Sequence, residues 1–182
     1  MSIVRYYNKS LIKKQTNEEV IELCYYECFD KLYKLFKKIN LRYKDKLSNR
    51  KGFPKYRGGV FGLVRPRYKY KGYLEESWDS KKNPDIHDEL MRIGKIICPF
   101  DFTTIQVNNN LTCPPHKDSN NTGVSMLVSF GDYTGSNIVV NNKKYCAKNR
   151  PIIFDGYKYE HYNTDDLIGD KYSLVFFNRN ES

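Results

Sequence analysis

The sequence predicts an α+β fold, mainly β: a double-stranded β-helix (jelly roll) with two buttressing N-terminal helices. Three observations predict it. From Asp101 onward, short stretches alternate polar and apolar residues, the period of half-buried strands. Clusters of Gly, Asn and Pro separate these stretches, as turns require. Ahead of them lie two segments whose apolar residues recur every three or four positions, the helical period. Short antiparallel strands preceded by amphipathic helices pack as two sheets with the helices against one of them.

The first helix is expected over residues 17–39. Thr16 and Glu19 have capping-box spacing, and Ile21, Cys24, Cys28, Leu32, Leu35 and Ile39 form one apolar stripe. The second is expected from Pro84 to Ile97, with Asn83 as cap, Pro84 in the first turn and Asp85, Asp88 and Glu89 at the positive end. Its core face is Ile86, Leu90, Ile93 and Ile97, and His87 reads as an exposed polar residue. Trp78, the single tryptophan, falls in a polar loop and reads as a packing residue. Strands are expected at 60–64, 68–73, 103–108, 124–130, 137–140, 143–146, 151–154, 157–161 and 172–177. Asn141-Asn142 makes a tight hairpin turn, because asparagine tolerates positive φ.

Length and composition bound the function. A chain of 182 residues buries a sizeable core as a single domain, 1–182, with a helical and basic part over 1–100 and the jelly-roll core over 101–182. Five cysteines without CxxC spacing read as reduced thiols, which argues against a disulfide framework or a zinc site. The N-terminus lacks an apolar run of signal or membrane length. The expectation is a soluble, intracellular protein (cytoplasm, nucleus or viral factory) with no membrane partner. The formal net charge of +10 is concentrated: residues 42–71 hold eleven Lys and Arg against the single Asp45. Aromatic residues alternate with those cations. Such a stretch suits a nucleic-acid partner, with bases stacked and phosphates neutralised, and equally a solvated loop with its aromatics tucked onto the domain.

The chemistry sits in His116-Lys117-Asp118. In an extended chain, residues two apart share a face, so the imidazole and the carboxylate can meet one ion. The tripeptide alone also reads as a surface turn with a solvated His and Asp. Order favours the metal: a second histidine, His161, follows on a later strand, and Lys171 and Ser173 stand ten and twelve residues beyond it. Two histidines and one carboxylate on one face of a metal, with open positions opposite, make the facial triad of non-haem Fe(II) oxygenases.

Residues 108–140, NNNLTCPPHKDSNNTGVSMLVSFGDYTGSNIVV, resemble the 2-oxoglutarate/Fe(II) oxygenases of the TET/JBP group. The resemblance extends weakly upstream to about Phe61 and downstream through His161 and GDKYSLVFF, residues 169–177. It implies His116, Asp118 and His161 as iron ligands, and Lys171 and Ser173 on the distal carboxylate of the cosubstrate. The cofactors implied are Fe(II), 2-oxoglutarate and O2. Gln106 or Asn108, on the strand before the motif, could hydrogen-bond the cosubstrate. Two positions depart from the family pattern: arginine usually stands where Lys171 does, and a second glycine where Ser136 follows Gly135. Lysine supplies the charge without the bidentate fork.

The implied activity is hydroxylation of the methyl group of 5-methylcytosine or thymine in nucleic acid. Two alternatives stay open. One is the same chemistry on a protein side chain or an N-alkylated base. The other is a non-catalytic jelly-roll module that binds nucleic acid through residues 42–71. Oligomeric state has no signature in the sequence.

Overall fold

The computed structural model describes residues 12–15, 20–23, 29–44, 56–66, 73–118 and 123–179. Two short strands, β1 (Ile12–Gln15) and β2 (Val20–Leu23), precede the helix α1 (Asp30–Lys37). Then come β3 (Arg42–Lys44), β4 (Tyr56–Val64), β5 (Glu75–Glu76), α2 (Trp78–Lys82) and α3 (Pro84–Ile97). The remaining strands are β6 (Thr104–Asn109), β7 (Ser125–Thr134), β8 (Ile138–Val140), β9 (Lys143–Tyr145), β10 (Ile152–Phe154), β11 (His161–Asn163) and β12 (Ile168–Phe177). Among the described residues they form two antiparallel sheets. The larger runs β1-β2-β10-β7-β12-β6-β4-β3, with β5 paired to β4; the smaller runs β11-β8-β9.

The long strand β12 sorts the core. Tyr172, Leu174 and Phe176 point to one face of the large sheet, where they join Ile105 and Val107 of β6 and Met126, Val128 and Phe130 of β7. Against that face pack Leu32 and Phe36 of α1 and Ile86, Leu90, Ile93 and Ile97 of α3. The alternate residues of the same strands (Lys171, Ser173 and Val175; Gln106 and Asn108; Leu127 and Ser129) face the other way, into a cavity between the sheets. On that side Ile138, Val140, Tyr145, Ala147, Ile152 and Phe154 form a second apolar cluster that carries the small sheet.

The second helix runs over its expected residues, Pro84–Ile97. Asn83 occupies the cap position, but its side chain donates to the Asp79 carbonyl at 3.1 Å, closing α2 and leaving α3 uncapped by a side chain. The first helix differs from expectation. It spans only Asp30–Lys37, and Val20–Leu23 is a strand that pairs with β10 through Ile21 and Ile153. Helix propensity is a weak preference, and Val20-Ile21 suits a strand once β10 offers its edge. Thr16, Cys24 and Cys28 lie outside the described residues.

Three smaller corrections follow from hydrogen bonding. Residues 157–160 turn, with no strand before His161, because Asp155 Oδ1 accepts from the Tyr157 and Lys158 amides at 3.0 and 3.1 Å. Trp78 opens helix α2, whose Ser77 cap accepts from the Ser80 amide at 3.1 Å. The last strand starts at Ile168, four residues before the expected Tyr172. The Asn141-Asn142 hairpin has the expected positive φ, 48° and 66°. The strand expected at 68–73 falls almost entirely outside the described residues.

Phe36 ties α1 to the sheet. Its ring stacks on Tyr172 at 5.1 Å, contacts Phe130 at 6.2 Å and meets Phe61 edge-on at 6.1 Å, with no solvent exposure. Phe36→Ala is expected to cost about 3–5 kcal/mol, since a rigid aromatic surround cannot collapse into the space. Urea unfolding of the variant against the parent measures it.

Candidate metal centre and cosubstrate cavity

His116 and His161 are brought together by their backbones. The His116 amide donates to the His161 carbonyl at 3.1 Å and the His161 amide returns the bond at 3.0 Å, an isolated antiparallel bridge that adds His116 to the edge of β11. Residues that exchange both bonds sit directly opposite and project their side chains to the same side. The two rings lie 4.2 Å apart between centroids. Asp118 is anchored by its amide to the Gly156 carbonyl at 2.9 Å. Its Oδ1 lies 3.5 Å from Nε2 of each histidine.

The tautomers follow from the outer hydrogen bonds. His116 Nδ1 lies 2.8 Å from the Pro114 carbonyl and His161 Nδ1 lies 3.0 Å from the Tyr159 carbonyl. A carbonyl only accepts, so each Nδ1 carries a proton and Nε2 is the ring atom left to face inward. Two imidazole nitrogens and a carboxylate oxygen, all within 4.8 Å of one another, converge on one point. A divalent ion placed there would take both Nε2 atoms and the carboxylate oxygen as ligands. Imidazole and carboxylate donors with open positions suit a divalent iron, and the backbone carbonyls behind the rings orient them as metal-bound histidines usually are. Burial works against ionisation of Asp118, yet the two histidines hold its carboxyl well below the usual range.

Gly156 is the residue that sequence reading missed. A methyl group there would overlap the Asp118 carboxylate and lie 3.1 Å from the His161 ring. Its sequence signal, Asp155-Gly156, reads only as a turn.

Lys171 and Ser173 both line the cavity, which measures about 440 Å³. Lys171 is 4% exposed and donates from Nζ to the Ser136 carbonyl at 3.0 Å and to Ser136 Oγ at 2.8 Å. The Tyr133 ring lies beneath at 5.6 Å. Burial lowers the Lys171 amine to about 8, with weaker opposing contributions from Cys113, Cys146 and Asp166. Asn110, in the left-handed region at φ 55°, pins this residue's backbone: its amide donates to the Lys171 carbonyl and its Oδ1 accepts from the Lys171 amide at 2.7 Å. Asn108 pairs across the ladder with Ser173 and accepts from Gln106 Nε2 at 3.2 Å. The two positions that depart from the family pattern, Lys171 and Ser136, are thus hydrogen-bonded to each other.

Only residues 42–44 and 56–66 of the basic stretch are described. The Arg42 guanidinium lies over the Trp78 ring at 4.5 Å and within 3.6 Å of the buried Asp79 carboxylate. Arg57 lies over Tyr43 at 4.5 Å and donates to the Leu41 carbonyl at 2.9 Å. No helix among the described residues is long and apolar enough to cross a membrane.

Gly156→Ala is expected to displace the Asp118 carboxylate and weaken Mn(II) or Fe(II) binding about 10- to 100-fold, the usual cost of disturbing the groups that orient metal ligands. Unfolding should change little, because Gly156 is not among the positive-φ glycines and the atoms a methyl would meet are side-chain atoms of Asp118 and His161. Metal titration followed by calorimetry, with circular dichroism as control, decides it.

No family model and no curated protein matches the sequence. Solved structures do match the fold. NgTET1 in complex with 5mC DNA has a TM-score of 0.58 at 15% identity, covering 90% of this chain and 73% of that one. OsALKBH1 has a TM-score of 0.58 at 10% identity, covering 91% of this chain and all of that one. An oxidoreductase of the 2OG-Fe(II) oxygenase family from Burkholderia pseudomallei has a TM-score of 0.56 at 16% identity, covering 90% and 86%. At these identities the likeness is one of fold, and the chain has the double-stranded β-helix of the 2-oxoglutarate/Fe(II) oxygenases.

Proposed function

We propose that this protein is an Fe(II)/2-oxoglutarate-dependent dioxygenase that hydroxylates the methyl group of a modified pyrimidine in nucleic acid. The observation that carries the chemistry is the convergence of His116, Asp118 and His161 at one end of a cavity that also holds a buried lysine. In this reading the three side chains hold Fe(II). Lys171 and Ser173 take the distal carboxylate of 2-oxoglutarate, and Asn108 hydrogen-bonds the cosubstrate from the neighbouring strand. When bound, iron and 2-oxoglutarate supply the oxidising power: O2 contributes one oxygen atom to the substrate C–H bond and one to succinate, with release of CO2.

The chain's own residues bind, orient and exclude water. Lys171 neutralises an anion that could not be buried alone. Its two bonds to Ser136 leave one N–H for the cosubstrate, so recognition is by a point charge plus the Ser173 hydroxyl, without a guanidinium fork. Phe154 and Val175 contribute apolar surface to the cavity wall. Support for the substrate class is threefold: the resemblance around HKD, the charge in residues 42–71, and a fold neighbour bound to 5mC DNA. A site inside the sandwich requires an extruded base, at a cost of a few kcal/mol from a duplex. Single-stranded substrate should therefore react at least as fast as duplex.

Two experiments test this. The Fe(II)-loaded protein, 2-oxoglutarate and a methylated single-stranded oligonucleotide should give hydroxymethyl nucleosides and succinate by mass spectrometry, and Asp118→Ala should give neither. Succinate released with a peptide and no oxidised base would transfer the reaction to protein hydroxylation. No turnover with any substrate would leave a binding module.

The second concerns Lys171. The ammonium attracts the cosubstrate carboxylate and the neutral amine does not. Affinity for 2-oxoglutarate should therefore fall as pH rises through about 8, the range to which burial lowers this amine. Lys171→Met should abolish that pH step and weaken binding by about 2–5 kcal/mol, roughly thirtyfold or more. Calorimetry with the Mn(II)-loaded protein from neutral to alkaline pH reads both, and a pH-independent affinity in the parent would remove Lys171 from the role.

A further inference from the structure

The metal end of the cavity holds two buried polar atoms without a hydrogen-bond partner, Ser125 Oγ and Arg179 Nε. Both side chains line the cavity, and the strand ladder brings them to the same end. Phe176 pairs with Met126, so continuing the ladder carries β12 past Ser125, with Arg179 following on the cavity side. Ser125 is also opposite Phe154 of β10, whose ring lies 5.1 Å from the His161 ring. Lys171 is at the other end, opposite Gly131.

Hydrogen-bonding capacity differs sharply between the two cations. Lys171 is engaged by Ser136, whereas among the described residues Arg179 Nε has no hydrogen-bond partner and the guanidinium lies over the Phe177 ring at 5.2 Å. A guanidinium N–H shut away from water normally finds an acceptor. Burial, and then the nearby charge of Arg65, disfavours its ionised form, a strain that an anion would relieve. The lone carboxylate among the described lining residues, Asp118, is already held between two histidines.

We propose that Arg179 and Ser125 form a second subsite, for an oxyanion carried by the substrate; on the nucleic-acid reading above, on which this rests, that group is a phosphate flanking the target base. The cosubstrate is a poor candidate for it. Its distal carboxylate is taken by Lys171 and Ser173, eight and six residues before Arg179, the former roughly 25 Å of extended chain away, and its other end is committed to the metal. An arginine fork matches two phosphate oxygens, and a serine hydroxyl can donate to a third.

The test is calorimetric, on the full chain loaded with Mn(II) and saturated with 2-oxoglutarate so that no turnover occurs. Thymidine monophosphate should bind about tenfold or more tightly than thymidine, the usual effect of a charge-assisted hydrogen bond. Arg179→Gln should erase that difference, Arg179→Lys should keep part of it, and Ser125→Ala should reduce it about threefold. Unchanged Mn(II) affinity and circular dichroism establish that the variants are folded. Equal binding of nucleotide and nucleoside by the parent would overturn the proposal. So would an Arg179→Gln effect confined to 2-oxoglutarate affinity, which would give the arginine to the cosubstrate. Base oxidation is read separately: phosphate dependence without any oxidised base keeps the subsite and removes the proposed reaction, and base oxidation that is indifferent to Arg179 does the reverse.

Discussion

The alternation of side chains along β12 is the constraint on which the rest depends. One face of the strand, Tyr172, Leu174 and Phe176, is sealed by α1 and α3; the other, Lys171, Ser173 and Val175, forms the floor of the cavity. A slip of one residue in its register against β6 or β7 would bury the lysine among phenylalanines and expose the apolar set to the cavity. Both neighbours hold it over long ladders, six pairs with β6 and nine with β7. The helices thus act on the chemistry indirectly, by forbidding that slip.

The lysine at the head of this strand is an unusual choice. A buried amine is costly, and burial lowers it to about 8. Ser136 offsets part of that cost with its carbonyl and its hydroxyl. Yet Ser136 itself sits at φ 51°, directly after Gly135 at 73°, in a region where glycine is the natural occupant. Strain at the serine and burial at the lysine therefore belong to one arrangement. Replacing either alone would leave the other without its reason.

Much of this was legible in the sequence, and the rest was hidden for identifiable reasons. Strand alternation exposed β6, β7 and the start of the β8–β9 hairpin, and the stripe in Pro84–Ile97 marked α3. The residues His116, Asp118 and His161 were legible as a spacing, and the structure puts their ligand atoms within reach of one ion. Residues 17–39 misled because an apolar stripe at helical steps also contains Val20-Ile21, and only the edge of β10, more than a hundred residues away, decides which pattern wins. Gly156 was illegible because its role is a close approach to a side chain distant in the chain. Ser125 could be found only by asking which strand residues face inward without a partner.

Where the donors hang has a mechanical meaning. His116 and His161 belong to the small sheet, whereas Lys171 and Ser173 belong to the large one. Among the described residues the segment that leaves the small sheet after β9 is tied to the large one by the bridge of Lys148 with Ser129 of β7. Any ligand that touches both sets is a cross-brace between two leaves of a sandwich, and its binding free energy is added to their cohesion. The empty protein should open along this seam first, with the amides of β8, β9 and β11 exchanging hydrogen ahead of those in β7 and β12. Occupancy of the cavity and integrity of the small leaf then become a single thermodynamic quantity.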